Sequence, residues 1–210
     1  IGKLPKKWCI RKLGEIAEFK NGINFRKSQR GSGGILTIDV LNMYGERLSA
    51  DLKNLYRVNI SFNKCSDYFL KKGDILFVRS SLKREGAGWA ALFNGSKEPV
   101  IFCGFIIRAR LAVQDLIPEF LVYFLRSPIS RQKVISGSGQ VAVTNITQET
   151  LKVLNIPVPE LDEQQKIAEI LSSVDKRIET LRKRKERLEK VKRGLMEDLL
   201  TGKKRVKLED

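Results

Sequence analysis

The feature that most constrains this chain is an apolar repeat in its last quarter, over residues 162–199. Apolar residues recur there at alternating steps of four and three, the spacing of the a and d positions of a coiled coil. The repeat consists of Ile167, Leu171, Val174, Ile178, Leu181, Leu188 and Leu195. Lys185 and Lys192 interrupt it, and such residues cost stability but often fix register or oligomeric state. The sequence therefore predicts one long helix that pairs with a specific partner.

Signals at both ends support this helix. Pro157 and Pro159 exclude helix upstream, Asp162 can cap the first turn, and Gln165 can complete a capping box. Gly202 follows the end. At about 1.5 Å per residue the helix would be about 55 Å long. Two interpretations remain, a solvated helix packed on its own domain at one end and a two-helix coiled coil, and the length of the repeat favours the coil.

Most of the positive charge lies before the helix. Residues 1–161 contain 25 Lys and Arg against 13 Asp and Glu, whereas residues 162–210 contain 15 against 11. A basic globular domain indicates a polyanionic partner, of which nucleic acid is the most common and an anionic membrane surface the next. The longest apolar run, at residues 100–107, is too short to cross a bilayer, and no leader pattern opens the chain. We therefore expect a soluble, cytoplasmic protein with no membrane partner.

The residue types argue against catalysis by this chain. It has no histidine, and Cys9, Cys65 and Cys103 lack pair spacing, which excludes zinc-finger ligand sets and histidine-based catalysis. Such cysteine usage fits a reducing compartment. No glycine-rich loop ends in Lys-Ser or Lys-Thr, and no carboxylate cluster suits a metal-dependent nuclease. We predict no catalytic residue, no metal site and no enzymatic activity of its own.

Residues 1–160 have the pattern of a mixed α/β (α+β) domain. The predicted boundaries place this domain at 1–160, the coiled-coil helix at 161–202 and a basic tail at 203–210. Strands are predicted at 35–41, 75–78, 89–93 and 99–110, with a strand and a helical turn within 4–19 and an extended segment at 156–159. Helices are predicted at 119–126 and 129–134, followed by a short helix capped by Thr147. The strands at 75–78 and 89–93 should form a hairpin with a long basic tip.

Three polar loops are candidates for nucleic-acid contacts. Arginine forks suit guanine edges, small hydroxyls bond phosphates or bases, and amides suit adenine. The candidates are Arg79, Ser80, Ser81, Lys83 and Arg84 in the first loop, Lys20, Asn21, Arg26, Lys27 and Arg30 in the second, and Gln140, Thr144 and Asn145 in the third. Each loop alone also fits a solvated turn, and only their combination in a basic domain favours an interface.

The chain resembles the specificity (S) subunit of type I restriction-modification systems over nearly its whole length. The most specific part is the Ile-Pro-Val-Pro segment at 156–159 running into Glu163, Gln164 and Gln165. The stretches at 73–80, 137–146 and 199–202 agree with it. The resemblance implies a target-recognition domain followed by a conserved-region helix, which bind DNA sequence-specifically while methyltransferase (M) and restriction (R) subunits carry out the chemistry. S-adenosylmethionine, ATP and Mg²⁺ would then bind only to those partners.

Members of that family usually have two recognition domains and two such helices, and this sequence contains one of each. The resemblance thus implies a half-length subunit or a fragment of a longer one. We expect an antiparallel homodimer through the apolar repeat, which would read two inverted copies of a short half-site in double-stranded DNA. The alternative is a basic RNA-binding or interaction protein whose coil only dimerises it.

Overall fold

The computed structural model of the chain describes residues 4–45, 47–136 and 144–206. These residues divide between two compact units, Ile1–Ala168 and Glu169–Asp210. Among the helices that the structure describes, none is long and apolar enough to span a membrane. The boundary between the units lies a few residues inside the long C-terminal helix rather than at its start.

The first unit consists of short strands and helices, and the last helix of the chain crosses the boundary into the second unit. The strands are β1 (Cys9–Lys12), β2 (Ala17–Asn21), β3 (Arg30–Gly31), β4 (Ile35–Ile38), β5 (Tyr56–Val58), β6 (Ile75–Val78), β7 (Ser80–Ser81), β8 (Ala90–Leu92), β9 (Val100–Phe102), β10 (Ile106–Leu111), β11 (Thr144–Asn145) and β12 (Asn155–Val158). The helices are α1 (Leu13–Ile16), α2 (Phe62–Cys65), α3 (Pro118–Arg126), α4 (Pro128–Ser136), α5 (Gln148–Lys152) and α6 (Leu161–Leu200). Short 3₁₀ turns include Val40–Asn42 and Arg84–Gly86.

The strands that the structure describes form two larger sheets and two short pairs. One sheet has the order β2-β10-β6-β8 and is antiparallel throughout. The other has the order β3-β5-β4-β9, and its β4 and β9 run parallel. Strand β1 pairs with β12, and β7 pairs with β11. The predicted mixed α/β class is confirmed.

The β2-β10-β6-β8 sheet is buried on both faces, which explains the unbroken apolar run of β6. Ile75 and Phe77 pack into one hydrophobic cluster with α3 and α5, whereas Leu76 and Val78 pack into a second cluster with β9. Because successive side chains of a strand point to opposite faces, both alternate sets must be apolar here. The predicted hairpin of β6 and β8 is confirmed, as are α3 with Pro118 at its first position and α4.

The prediction of one strand over residues 99–110 is wrong. The chain forms β9 and β10 instead, separated by a turn at Cys103, Gly104 and Phe105, and the two strands lie in different sheets. Gly104 permits this turn, because a Cβ there would lie 1.8 Å from Asn24 Oδ1. An apolar run shows burial but not the point at which the chain changes sheet.

The capping prediction for the long helix is also wrong, although the helix itself is confirmed as α6. Its first backbone bonds run from the N–H groups of Glu163 and Gln164 to the carbonyl of Glu160, so Asp162 lies inside the first turn. The fully buried Gln164 side chain accepts from the Ile117 N–H at 2.8 Å. It also donates to the Asp115 and Pro159 carbonyls at 2.9 Å each. These bonds fix the first turn to the globular unit.

Candidate nucleic-acid interface

The basic loop between β6 and β8 is closed at its base by backbone bonds. The Gly88 N–H donates to the Val78 carbonyl at 2.7 Å, and the Val78 N–H donates to the Trp89 carbonyl at 3.0 Å. Beyond this base the chain forms β7 and then the 3₁₀ turn Arg84–Gly86. The loop predicted as a basic hairpin tip is therefore a folded segment with its own internal bonds.

Strand β7 joins the first predicted loop to the third. Ser81 pairs with Thr144, and Ser80 pairs with Asn145. The Ser80 hydroxyl donates to Asn145 Oδ1. The Ile146 N–H donates to the Arg79 carbonyl at 2.9 Å, which extends the pairing by one residue. Hydroxyl and amide groups from two distant parts of the sequence thus share one surface. Gln140, the remaining predicted residue of the third loop, lies outside the described residues.

The second predicted loop reaches this surface through one contact. Gln148 Nε2, at the start of α5 and just after β11, donates to Asn21 Oδ1 at 3.1 Å. Lys20 is engaged elsewhere, because it pairs with Asp67 at 3.3 Å and its ammonium lies over the Tyr68 ring.

Arg30 is also engaged. Its guanidinium bonds Asp39 at 2.9 Å and stacks on the Tyr56 ring at 4.1 Å. The predicted cations therefore fall into two groups. Lys20 and Arg30 have carboxylate partners, whereas Arg26, Lys27, Lys83 and Arg84 are exposed and form no ion pair with any residue that the structure describes. Cations without a partner are the ones available to phosphate.

Arg79 occupies an intermediate position. It is partly buried, its N–H donates to the Phe105 carbonyl at 2.7 Å, and its Nη1 donates to the Gly104 carbonyl at 3.3 Å. The guanidinium is thereby anchored on the turn between β9 and β10, with donors left over for a ligand.

Tyr44 is a site residue that the sequence pattern does not indicate. Its hydroxyl donates to Ser81 Oγ at 3.2 Å, and the same oxygen accepts from the Lys83 N–H at 3.2 Å. Gly86 permits this arrangement, because a Cβ there would lie 2.3 Å from Ser81 Oγ and 2.5 Å from the Tyr44 hydroxyl. These contacts hold the start of the basic loop in one conformation.

Arg131 of α4 holds the end of the same loop. It is only 9% exposed, and its Nη2 donates to the carbonyls of Glu85 at 2.6 Å and Ala87 at 2.8 Å. The guanidinium lies 5.7 Å from the centre of the Trp89 ring, on which Arg126 also packs at 4.6 Å. Burial lowers the pKa of Arg131. The sequence predicts the helix, but the weak apolar periodicity of α4 does not reveal which side is buried.

The described residues contain no group of three His, Cys, Asp or Glu side chains placed to hold a metal ion. In the second unit, α6 keeps most of the predicted repeat exposed, including Leu171, Val174, Ile178, Leu181, Leu188 and Leu195. Its charges pair partly along the helix, with Glu179 to Lys183 at 2.9 Å and Lys185 to Glu189 at 3.8 Å. Ile167 belongs to the first unit and packs against its core.

Comparisons with known proteins show the family to which this chain belongs. Residues 5–190 match the family model described as the type I restriction modification DNA specificity domain. The chain is 30% identical over 99% of its length to the MjaVIII specificity subunit of Methanocaldococcus jannaschii, and 24% identical over 96% to the EcoKI specificity subunit of Escherichia coli strain K12. It spans 48% and 43% of these two relatives, about half of each.

Solved structures show the same fold. One, from a study of complex assembly and conformational transition in the type I R-M system, has a TM-score of 0.68 at 18% identity, with 94% of this chain and 46% of that chain covered. The HsdS subunit of Thermoanaerobacter tengcongensis has a TM-score of 0.62 at 17% identity, with 94% and 45% covered.

Proposed function

The chain belongs to the family of type I restriction modification DNA specificity domains, and from that premise we propose that it binds double-stranded DNA sequence-specifically. The observation that carries the proposal is the surface around β7 and β11. Ser80, Ser81 and Asn145 lie together there, beside the unpaired cations Lys83 and Arg84. Cations fix a protein on the phosphate backbone, and hydroxyl and amide groups read base edges.

Selection from a pool of random DNA duplexes tests this proposal. The chain should enrich a defined sequence and bind it at least about a thousandfold more tightly than random duplex. An RNA duplex and a single-stranded RNA serve as competitors, because the alternative function is RNA binding through a basic surface. Enrichment of no sequence, or preference for RNA, would reject DNA specificity.

We propose further that chemistry resides on partner subunits. The chain would direct a methyltransferase subunit and a restriction subunit to a DNA site and would be non-catalytic on its own. S-adenosylmethionine, ATP and Mg²⁺ would bind to those partners. Calorimetry of this chain with S-adenosylmethionine should therefore show no heat of binding. Tight binding would contradict the proposal and indicate that this chain is itself an enzyme. Such a role would place the protein in the cytoplasm, with chromosomal DNA.

We propose that the exposed repeat of α6 pairs with the same repeat of a second copy in the antiparallel direction. Residues 161–181 contain five acidic and three basic residues, whereas residues 182–200 contain four acidic and eight basic. Antiparallel pairing brings halves of opposite charge together, and parallel pairing brings like charges together. Two identical domains related by a twofold axis would read two inverted copies of one half-site.

Light scattering and an interlabel distance test the dimer. Labels at position 175 of each copy, in a chain with the exposed Cys9 replaced, should lie about 20 Å apart in an antiparallel coil, since residue 175 is six residues from the centre of the repeat and the two copies are then separated by about 18 Å along the coil. A monomer at micromolar concentration, or labels side by side, would contradict the arrangement. If the partner of the repeat were instead a different helical protein, this chain alone would be a monomer in the same experiment.

A further inference from the structure

The basic loop between β6 and β8 exposes a leucine at its centre. Leu82 is 85% exposed, and among large apolar side chains of the first unit that the structure describes only Leu41, at 84%, is similar. Leu82 directly follows Ser81, whose hydroxyl accepts a hydrogen bond from Tyr44. Single exposed leucines are common on protein surfaces. Leu82, however, lies within the basic loop, between strand β7 and the turn Arg84–Gly86.

Local contacts on both sides of Leu82 keep it exposed. Ser81 pairs with Thr144, and its hydroxyl accepts from Tyr44 and from the Lys83 N–H. After Leu82, the Arg84–Gly86 turn is closed by a bond from the Gly86 N–H to the Lys83 carbonyl at 2.9 Å, and Arg131 holds the carbonyls that follow. The backbone therefore presents this side chain outward instead of letting it turn toward the core.

The neighbours of Leu82 indicate what it would contact. Lys83 and Arg84 suffice for phosphate, which offers no apolar surface. Ser80 and Asn145 suit the polar edge of a base. An apolar side chain among such groups has one natural ligand in the major groove, the C5 methyl group of thymine.

We propose that Leu82 is a specificity-determining residue that packs against the methyl group of a thymine in the recognised sequence. The inference rests on the proposed DNA-binding function and adds the base that one residue reads. A wedge inserted between base pairs from the minor groove is the competing use of an exposed leucine. The two differ because only the first depends on the thymine methyl group.

Replacement of thymine by deoxyuridine removes that methyl group and leaves the hydrogen-bonding edge intact. The full chain is first used to select its site from random duplexes, and each thymine of the site is then replaced singly. One replacement should weaken binding by the unmodified chain about fourfold, the effect of losing burial of one methyl group. Leu82→Ala should bind the thymine duplex at least as weakly as the unmodified chain binds the deoxyuridine duplex. Replacement of that thymine by deoxyuridine should then cause Leu82→Ala no further loss of affinity. Leu82→Met, which keeps an apolar contact, should retain the sensitivity.

Ile10→Ala is the matched control, because Ile10 is an exposed apolar residue on β1, in a different sheet. This variant should keep the full response to deoxyuridine. The inference is overturned if no thymine position responds, or if Leu82→Ala responds as strongly as the unmodified chain. If Leu82→Ala lost the same affinity for the thymine duplex and for every deoxyuridine duplex, Leu82 would act as a wedge, and the inference would again be overturned. If the pool enriches no sequence, the proposed function itself fails, and the role of Leu82 with it.

Discussion

Gln164 is the residue that attaches α6 to the globular unit. Replacement of this fully buried side chain by alanine leaves the Ile117 N–H and the Asp115 and Pro159 carbonyls without their partner. Because an unsatisfied buried group costs about 1–3 kcal/mol and three groups lose their partner, we expect the free energy of unfolding to fall by at least about 3 kcal/mol in urea titrations. Lys166→Ala, at an exposed position of the same helix, should change it by less than about 0.5 kcal/mol. Equal effects of the two variants would contradict the role of Gln164.

The three thiols should differ in reactivity. Burial and the neighbouring Asp39 carboxylate raise the pKa of Cys103 to about 12, and burial raises the pKa of Cys65. Cys9 is exposed. Since the thiolate is the reactive form, a thiol reagent at pH 8 should modify Cys9 quickly, and Cys65 and Cys103 only after unfolding. Mass spectrometry identifies the modified residue, and rapid modification of Cys103 in the folded chain would show that its environment is not as described.

The sequence indicates the polar character of site residues but not their partners. Ser80, Lys83 and Asn145 are visible as candidates because their chemistry is that of DNA contacts. Nothing in the sequence distinguishes the ion-paired Arg30 from the unpaired Arg84, since the partner Asp39 is supplied by a different segment. Side-chain pairing across the fold is a tertiary property, and residue type and spacing cannot provide it.

At the level of elements, the sequence predicts best those whose periodicity and end signals agree. The Pro118 helix has both, and the long α6 has the periodicity together with the prolines before it and Gly202 after it, although its predicted cap is wrong; both helices are confirmed. The region of β9 and β10 fails because two strands of one apolar composition follow each other across a short turn. Strands β7 and β11 have two residues each and exist only through pairing with each other, so no local pattern could indicate them.

The basic loop should depend on α4 for its order. Arg131→Met removes both hydrogen bonds to the Glu85 and Ala87 carbonyls while keeping an unbranched side chain in place. Brief trypsin treatment should then cleave after Lys83 and Arg84 several times faster, because local opening exposes the loop to protease. Gln132→Ala, on the exposed side of the same helix, is the control and should be cut at the unmodified rate. An unchanged rate for Arg131→Met would mean that the loop is held by other contacts.

The exposed repeat of α6 makes a separate prediction about association. Leu188→Lys places a charge within the apolar repeat, which is the seam between the two helices of the proposed coil. The dimer dissociation constant should rise at least about tenfold in sedimentation experiments, because burying a charged group removes its water. Thr180→Lys adds the same side chain outside the seam and should leave association unchanged. Equal dissociation constants for the two variants would show that the seam is not the contact.

At the scale of the whole molecule, the net charge of +16 and the exposed Lys83 and Arg84 of the basic loop indicate the same kind of ligand. The charge predicts a polyanion as ligand but no specificity, because phosphate is common to every sequence. Specificity requires groups fixed in position, and the bonds of Ser81, Asn145 and Arg131 provide fixed groups at that surface. The sequence predicts the class of ligand, whereas the fold brings together the groups that we propose to read it.

Titration of the selected duplex and of random duplex at several salt concentrations tests sequence-specific DNA binding most directly. Lys83→Ala should weaken binding to both duplexes alike and reduce the slope of log affinity against log salt by about one, because one phosphate contact is lost. Arg79→Ala, which removes a guanidinium anchored on the turn between β9 and β10 with donors left for a base, should cost about 1–3 kcal/mol mainly on the selected duplex. Equal affinity of the unmodified chain for both duplexes, or both variants binding like the unmodified chain, would contradict the account.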